Sequence, residues 1–209
     1  MKAARYCCMI LGTALLISAL FLVLCNLYAD RQGGEQAQAV LSALQGQMSE
    51  LTTETTLPAQ EHDTLFPDAA DSVIPDMETA EVDGQAYIGT LSIPELGLEL
   101  PVTAEYSDEL LKTAPCRYAG SLYTDDLVIA AHNYNSHFGK IGRLHEGAEL
   151  IFTDLHSRAY RFCVTETEQL AGTATDEMLS GSEENWDLTL FTCTLNGQNR
   201  VTVRAEKAE

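Results

Sequence analysis

A cysteine and an arginine lie on either side of a tight-turn signal near the C-terminus. The stretch LTLFTCTLNGQNRVTVRAE places Cys193 and Arg200 around the dipeptide Asn196-Gly197. Asn-Gly between two alternating strands favours a two-residue type I′ hairpin turn, because both residues tolerate positive φ. Such a loop opposes Cys193 to Arg200, and directly opposed residues project from the same face of a sheet. The turn alone therefore predicts an arginine beside a thiol.

An arginine next to a cysteine suits nucleophilic catalysis. A cysteine attacks as its thiolate, and its usual pKa of about 8.5 must be lowered or matched by a cationic or basic neighbour. Arg200 offers a permanent charge and a fork of donors suited to an oxyanion. Arg204 would oppose Thr189 and is the weaker candidate. The competing interpretation is that Cys193 is a small buried residue of a strand, as many free cysteines are.

A histidine could carry the proton of the thiol. His132 is the best candidate, because it ends the apolar stretch DLVIAAH and side chains emerge at a barrel rim where a strand ends. Three other histidines have loop-like or turn-like surroundings: His137, His145 and His156. Spacing alone does not bring His132 to Cys193. These histidines show no metal-ligand motif and no Cys-x-x-Cys occurs, so we expect neither a metal nor a cofactor.

The surrounding sequence indicates an all-β domain. From about Gln85 onward, short apolar stretches alternate with Gly, Pro, Asn and Asp, a pattern typical of strands. The main stretches are YIGTLSIPELG, LELPVTAEY, DLVIAAHNY, ELIFTD, AYRFCVTETEQL, LTLFTCT and RVTVRAE. TDEMLSG is a candidate helical turn before the last two strands. Many short strands with few helices predict a closed barrel or a sandwich over residues 85–209.

The N-terminus carries a membrane segment. The run CCMILGTALLISALFLVLC has no charge and would span about 28 Å as a helix, close to the ~30 Å core of a bilayer. Lys2 and Arg5 precede it, so the positive-inside rule predicts cytoplasmic residues 1–6, a transmembrane helix over 7–28 and an extracellular remainder. A cleaved signal peptide is the alternative, but the run exceeds the usual apolar core and NLYAD is a poor cleavage site.

Acidic residues dominate the stretch that follows. The chain has a formal net charge of −19 and no basic stripe, which argues against a nucleic-acid partner. Between Asp30 and Asp83 the only basic residue is Arg31. Such a composition buries too little apolar surface to order itself, so we expect a flexible acidic spacer over residues 29–84. A short helix over EQAQAVLSALQGQMSEL is the one element that this stretch suggests.

Three cysteines lie beyond the membrane run, an odd number in a compartment where disulfides can form. They are Cys116, Cys163 and Cys193. A disulfide between Cys116 and Cys163 would leave Cys193 free, but two buried thiols explain the same letters.

Several motifs together resemble the sortases, membrane-anchored cysteine transpeptidases of mainly Gram-positive bacteria. TLFTC at Thr189 to Cys193 is similar to the TLxTC motif of that family. VIAAHNYNSHFGKIGRL is like its histidine segment, an arginine follows on the next strand, and an N-terminal anchor with a spacer precedes the domain. The resemblance covers about Tyr87 to Glu206, including GTLSIPELGLELPV.

The resemblance implies an eight-stranded sortase-type β-barrel with short helices. In it Cys193 attacks the Thr–Gly bond of an LPxTG-like sorting signal, with His132 and Arg200 matching the family's catalytic histidine and arginine. An amine from a cell-wall precursor or from a pilin lysine would then resolve the acyl-enzyme. The implied partners are sorting-signal-bearing surface or pilin proteins, and the implied place is the cell membrane with an extracellular catalytic domain.

Two departures from the family pattern stand out. Ala131 replaces the glycine that often precedes the histidine, and its methyl group could narrow the approach to His132. The segment after Cys193 is short and leaves little room for an elaborate loop. Two alternatives stay open: a non-catalytic, membrane-tethered binding module that kept the barrel, and a plain cysteine peptidase that transfers the acyl group to water.

Overall fold

The computed structural model describes residues 2–54, 76–179 and 186–208. Two helices and nine strands make up its regular structure. They are α1 (Lys2–Glu54), β1 (Ala80–Val82), β2 (Gln85–Ile93), β3 (Leu98–Thr103), β4 (Cys116–Ala119), β5 (Leu127–Ala130), β6 (Glu149–Asp154), β7 (Ala159–Ala171), α2 (Thr175–Met178), β8 (Leu188–Cys193) and β9 (Asn199–Lys207). One-turn 3₁₀ helices at Pro94–Leu96, Leu110–Lys112 and Ile141–Arg143 connect some of the strands.

Eight of the strands close into a barrel. The order is β2-β3-β4-β5-β8-β9-β7-β6, and β6 pairs back onto β2. This confirms the predicted eight-stranded barrel, and the helical turn predicted in TDEMLSG is α2. Strand β1 was not foreseen; it adds to the edge of β2 before β2 meets β6.

A glycine marks the place where β2 changes its partner. Tyr87 pairs with β1, whereas Gly89 pairs with Asp154 of β6, and a bulge separates the two positions. Gly89 has φ 147°, and a Cβ added there would lie 2.2 Å from the carbonyl oxygen of Thr153. Only a residue without a side chain lets the two strands approach so closely.

Alternation along the strands separates the barrel interior from an outer face. In β8, Leu188 and Leu190 are fully buried inside the barrel, where residues from the other barrel strands join them in the main core. The next residue, Phe191, belongs to a second apolar cluster with Val128 and Ala130 on the opposite side of the sheet. We call that side of β5 and β8 the outer face. Cys193 follows Phe191 by two residues and therefore projects from the outer face.

Helix α1 is far longer than the predicted membrane segment. It runs without interruption to Glu54, and its apolar part could cross a membrane by length and composition. The short helix suggested over EQAQAVLSALQGQMSEL is part of α1, but the flexible spacer predicted around it is wrong for the rest of residues 29–54, which are helical, and for β1. Residues 55–75 of that predicted spacer lie outside the described part of the chain.

Packing against the barrel explains why this stretch is ordered. Four small or apolar residues on one side of α1 are buried: Ala37, Leu41, Leu44 and Met48. Their spacing of three or four residues forms one face of a helix. Leu44 and Met48 pack with Val82 and Tyr87 of the first two strands. The acidic residues that suggested a spacer lie mostly after this face, so the average composition of residues 29–84 concealed it.

Candidate active site

The register of the β8–β9 hairpin places Cys193 opposite Arg200, as the sequence predicts. Arg204 opposes Thr189 two pairs further along the outer face. Cys193 is the last residue of β8 and is solvent-exposed. The structure therefore does not support a buried core role for this thiol.

The turn itself differs from the predicted two-residue type I′ loop. Thr194 N–H donates to the carbonyl of Asn199 at 2.9 Å, and Gly197 N–H donates back to Thr194 at 2.8 Å. Gly197 has φ 71°, but Asn196 is not among the residues with positive φ. The loop is thus longer than expected, yet it is centred on the same Asn196-Gly197 step. For that reason the register is unchanged.

His132 is brought to Cys193 by parallel pairing of β5 with β8. Ala130 of β5 lies level with Phe191 of β8, and Ala131 N–H donates to the Phe191 carbonyl at 3.1 Å. Continuing this register by two residues places His132 level with Cys193. The parallel pairing therefore supplies the link that sequence spacing could not.

Two hydrogen bonds fasten the end of β5 to the end of β8. The hydroxyl of Thr192 donates to the carbonyl of Ala131 at 2.8 Å, and the side-chain amide of Asn133 donates to the carbonyl of Cys193 at 2.9 Å. Ala131 is buried in the main core, so its methyl group does not narrow the approach to His132. The expected steric effect of this departure from the family pattern is therefore absent.

The ring of His132 is held against an aromatic neighbour. It stacks on Tyr134 with ring centroids 4.0 Å apart and planes 22° from parallel. Its Nδ1 is buried without a hydrogen-bond partner among the described residues. Burial, and then the positive charge of Lys112, lower the pKa of His132 below its usual 6.5. A neutral ring at neutral pH can accept a proton from a thiol.

Aromatic rings form a wall on the outer face near Cys193. Tyr118 meets Phe191 edge-to-face at 5.1 Å and Tyr106 edge-to-face at 5.0 Å. Burial, then the charge of Asp108, raise the pKa of Tyr106, and the electrostatic effect of Cys193 reaches this phenol as well. The thiol thus lies at the end of an apolar, aromatic surface.

Arg200 is level with Cys193, but its guanidinium group is bonded to backbone. Its Nη1 donates to the carbonyls of Gly197 and Asn199, each at 3.2 Å. A Cβ added to Gly172, next to the end of β7, would lie 3.2 Å from the same nitrogen. The group is therefore directed toward the hairpin turn and the end of β7 in this state.

Arg204, the weaker candidate arginine, has a different role. Its side chain is 1% exposed, forms an ion pair with Glu168 at 3.0 Å, and donates to the hydroxyl of Thr189 at 3.0 Å. It also donates to the carbonyls of Glu177 and Met178 at α2 and lies 4.5 Å from the ring centroid of Trp186. Arg204 thus fastens both described ends of the β7–β8 connection to β9.

The other candidate histidines have different surroundings from His132. His145 and His156 form surface ion pairs with Glu95 and Glu78. His137 is completely buried, and neither ring nitrogen makes a well-aligned hydrogen bond among the described residues. Burial lowers the pKa of His137 to about 4.

The remaining sequence hypotheses concern thiols and metals. Within residues 2–54, 76–179 and 186–208, no group of three His, Cys, Asp or Glu could hold a metal ion. Cys116 and Cys163 are both free thiols, so the disulfide left open by the sequence is not formed.

Comparison with known proteins identifies the family. The family model described as the sortase domain matches residues 91–208, which is more than half of the chain. The protein belongs to the sortase family. Members of this family are generally transpeptidases. Among curated proteins, no sequence matches this sortase at a significant level.

Solved sortase structures share the fold at low sequence identity. Group B Streptococcus Pilus Island 1 sortase C2 gives a TM-score of 0.52 and 24% identity, covering 62% of this chain and 77% of that one. A Clostridium perfringens sortase D5 transpeptidase gives 0.51 and 21%, covering 59% and 79%. Streptococcus pneumoniae sortase C gives 0.53 and 18%, covering 87% and 89%. At this identity the likeness concerns the fold.

Two sets of contacts in this sortase were not foreseen from the sequence. Asn133 and Tyr134, next to His132, make the contacts that hold the histidine segment, and only their position beside a candidate histidine could have drawn attention to them. Trp186, just before β8, stacks with Arg204, a contact that no local sequence pattern predicts.

Proposed function

We propose that this sortase is a cysteine transpeptidase that cleaves an LPxTG-like sorting signal between Thr and Gly. The observation that carries the proposal is the exposed thiol of Cys193, with Arg200 opposite it on β9 and His132 level with it beyond β5. Three different backbone segments converge here on one nucleophile, one proton carrier and one permanent cation. That set serves acyl transfer through a covalent intermediate.

The reaction begins with activation of the thiol. His132, neutral because its pKa lies below 6.5, takes the proton of Cys193 as the thiolate attacks the threonine carbonyl. A carbon–sulfur bond forms and the carbonyl becomes a tetrahedral oxyanion. When the oxyanion collapses, the carbon–nitrogen bond breaks and His132 returns the proton to the amine of the departing glycine. A thioester on Cys193 remains.

The second half of the reaction uses the same groups in reverse. An acceptor amine attacks the thioester, His132 removes the amine's proton, and the carbon–sulfur bond breaks. The thiolate of Cys193 is regenerated and takes the proton back. The products are a new amide and the free enzyme, so no oxidant or other co-reactant is consumed.

Arg200 stabilises charge or holds the substrate backbone in this scheme. Its donors are now bonded to the carbonyls of Gly197 and Asn199 at the exposed hairpin turn. A substrate carbonyl beside Cys193 is an equivalent acceptor, and reorienting the long side chain requires no change in β9. Stabilising one oxyanion in this way contributes about 3–4 kcal/mol to a transition state.

The sorting signal lies along the outer face and leads to Cys193. Phe191, Tyr118 and Tyr106 supply apolar contacts for its leucine and proline. Arg204 fixes the chain on both described sides of the β7–β8 connection, which borders this face. Recognition of the sorting signal therefore depends on a surface whose edge is held by the buried side chain of Arg204.

The expected location and partners follow from α1. Lys2 and Arg5 precede the apolar run, and the positive-inside rule then favours a cytoplasmic N-terminus with the barrel outside the cell membrane. Partners would be surface or pilin proteins that carry a sorting signal, together with an amine from a cell-wall precursor or a pilin lysine. No cofactor takes part in the scheme.

Intact mass spectrometry of the full chain in detergent micelles tests the proposal. The protein is mixed with a panel of LPxTG-like peptides, with and without an added amine, and Cys193→Ala serves as the control. We expect an adduct on Cys193 that disappears with amine and yields a ligated peptide. An adduct released only to water would indicate a peptidase. No adduct with any peptide, together with slow alkylation of Cys193, would indicate the binding module.

A further inference from the structure

Helix α1 contacts the loop that follows His132, just beyond the predicted membrane span. The carboxylate of Asp30 accepts hydrogen bonds from the backbone N–H of Ser136 at 3.0 Å, from its hydroxyl at 2.7 Å and from the amide of Asn135 at 2.9 Å. The Ser136 hydroxyl also lies 2.9 Å from the backbone carbonyl of Asp30. One carboxylate on α1 thus holds two consecutive residues of the histidine loop.

Glycines on α1 allow the loop to lie directly against the helix backbone. A Cβ added to Gly33 would lie 2.9 Å from the carbonyl oxygen of Lys112 and 3.1 Å from Cδ2 of Tyr134. A Cβ added to Gly34 would lie 2.9 Å from Cβ of Ser136. Glycine costs about 1 kcal/mol relative to alanine within a helix, so two adjacent glycines here offset that cost through close contact.

The contact reaches the candidate catalytic ring through one residue. Tyr134 packs against Gly33 on one side and stacks on His132 at 4.0 Å on the other. The same loop is folded back on itself, with Phe138 N–H donating to the His132 carbonyl and Gly139 N–H to the Tyr134 carbonyl. Movement of Tyr134 is therefore transmitted to the ring of His132.

We infer that the part of α1 beyond the membrane is a positioning element of the active site, in which Asp30 and Gly33 hold the Tyr134 ring against His132. The importance of His132 for catalysis rests on the proposed function, but the positioning of its ring does not. Helices rise about 1.5 Å per residue, so Asp30 lies only about 3 Å along the axis from Tyr28, the end of the predicted span. The histidine loop is thereby fixed close to the membrane surface.

Two matched pairs of variants test this inference in the full chain in detergent micelles. Gly33→Ala inserts a methyl group at the contact, whereas Gly46→Ala on the same helix meets nothing within 4 Å. Ser136→Ala removes a donor to Asp30, whereas Glu35→Ala removes only an exposed ion pair with Arg31. Alanine has a higher helix propensity than glycine, so neither Gly33→Ala nor Gly46→Ala destabilises α1 through helix propensity itself.

Titration of His132 is the main measurement. Ring-labelled histidine and a His132→Gln reference spectrum identify its NMR signal. Lys112 on the 3₁₀ helix and His137 in the same loop interact electrostatically with this ring. Asp30 contacts the loop from α1, Cys193 on β8 is level with His132, and Arg200 on β9 is opposite Cys193. None of these five groups is altered in the four variants. Thermal unfolding of each variant is recorded to verify that the barrel is intact.

We expect Gly33→Ala and Ser136→Ala to raise the pKa of His132 toward 6.5, because the ring loses burial when Tyr134 moves. Their kcat for peptide ligation should fall roughly tenfold, since misplacing a catalytic group by about 1 Å can cost up to a hundredfold. Gly46→Ala and Glu35→Ala should retain wild-type values. Unchanged His132 titration and kcat in Gly33→Ala and Ser136→Ala would overturn the inference. If the His132 titration shifts in these two variants while the wild-type protein shows no ligation activity, the inference is supported and the proposed function is contradicted.

Discussion

Asn133 and Cys193 are joined by a hydrogen bond of 2.9 Å, from the side-chain amide of one to the backbone carbonyl of the other. The bond ties the residue after the candidate catalytic histidine to the candidate nucleophile. Because it links two segments 60 positions apart in sequence, it fixes the relative placement of His132 and the thiol rather than the local fold of either.

Removing this bond should affect activity more than stability. A single hydrogen bond contributes about 0.5–1.5 kcal/mol, so Asn133→Ala should lower the free energy of unfolding by no more than that. We expect kcat for ligation to fall several-fold, since the geometry between the proton carrier His132 and the nucleophile Cys193 is loosened. Ligation assays and urea unfolding measure the two quantities. Gln198→Ala, at the exposed hairpin tip, is the control, and equal losses of kcat in both variants would contradict the prediction.

The thiols should differ sharply in reactivity. Cys193 is exposed, whereas Cys116 is fully buried and burial raises the pKa of its thiol. Iodoacetamide at neutral pH should therefore label Cys193 in the native protein and Cys116 only after unfolding. Peptide mapping of the labelled protein over time measures both rates. Similar native rates at both sites would contradict this prediction. Cys193→Ala should abolish ligation without a change in the unfolding temperature.

Buried Arg204 should be important for stability. Arg204→Met leaves Glu168 without its cation and the Thr189 hydroxyl and two carbonyls without a donor. We expect the free energy of unfolding to fall by roughly 2–4 kcal/mol. This is at or below the range for breaking a fully buried ion pair, because Glu168 is partly exposed. Arg161→Met, in an exposed pair with Glu149, should cost less than about 1 kcal/mol. Denaturant unfolding of both variants checks this, and equal losses would contradict it.

Lys112 should tune the proton affinity of His132. Its positive charge is the second cause, after burial, of the lowered pKa of that histidine. Lys112→Met removes the charge and keeps the apolar stem, so the pKa of His132 should rise while remaining below 6.5. NMR titration of His132 measures the change. Lys140→Met is the control because the charge of Lys140 does not contribute to the shift, and an unchanged pKa in Lys112→Met would contradict the prediction.

Local signals in the sequence were sufficient for part of the site. The Asn196-Gly197 step was enough to predict the pairing of Cys193 with Arg200. The observed turn is longer than the predicted two-residue loop, but both are centred on this step, so the register is the same. Strand alternation also placed the thiol on a face of the sheet. These features depend on residues within about ten positions of one another, where geometry is strongly constrained.

Long-range features were beyond the sequence. His132 is level with Cys193 only because β5 pairs in parallel with β8, and these strands are separated by many intervening elements. The same holds for α1, because its apolar face is buried only by packing against the barrel. Arg204 was treated as a second candidate for catalysis because nothing in its neighbours predicts the carbonyls of Glu177 and Met178. Such contacts depend on tertiary packing rather than on local pattern.

Buried His137 should make the protein sensitive to mild acid. Burial lowers its pKa to about 4, whereas an unfolded chain has the usual 6.5, so the unfolded state binds more protons between these values. Stability is therefore complete above about pH 6.5 and is lost as the pH falls toward 4. A shift of this size corresponds to roughly 3 kcal/mol. The positively charged ring would also face the backbone of Gly33, where α1 meets the loop.

The effect of His137 can be separated from that of the many carboxylates by difference. Denaturant unfolding is measured at pH 7 and pH 4.5 for the wild type and for His137→Phe, which keeps a ring and removes the proton site. The wild type should lose about 2–3 kcal/mol more than the variant over this interval, because only the wild type must keep an imidazole uncharged in the interior. Equal losses in the two proteins would show that His137 binds its proton in the folded state as readily as in the unfolded chain.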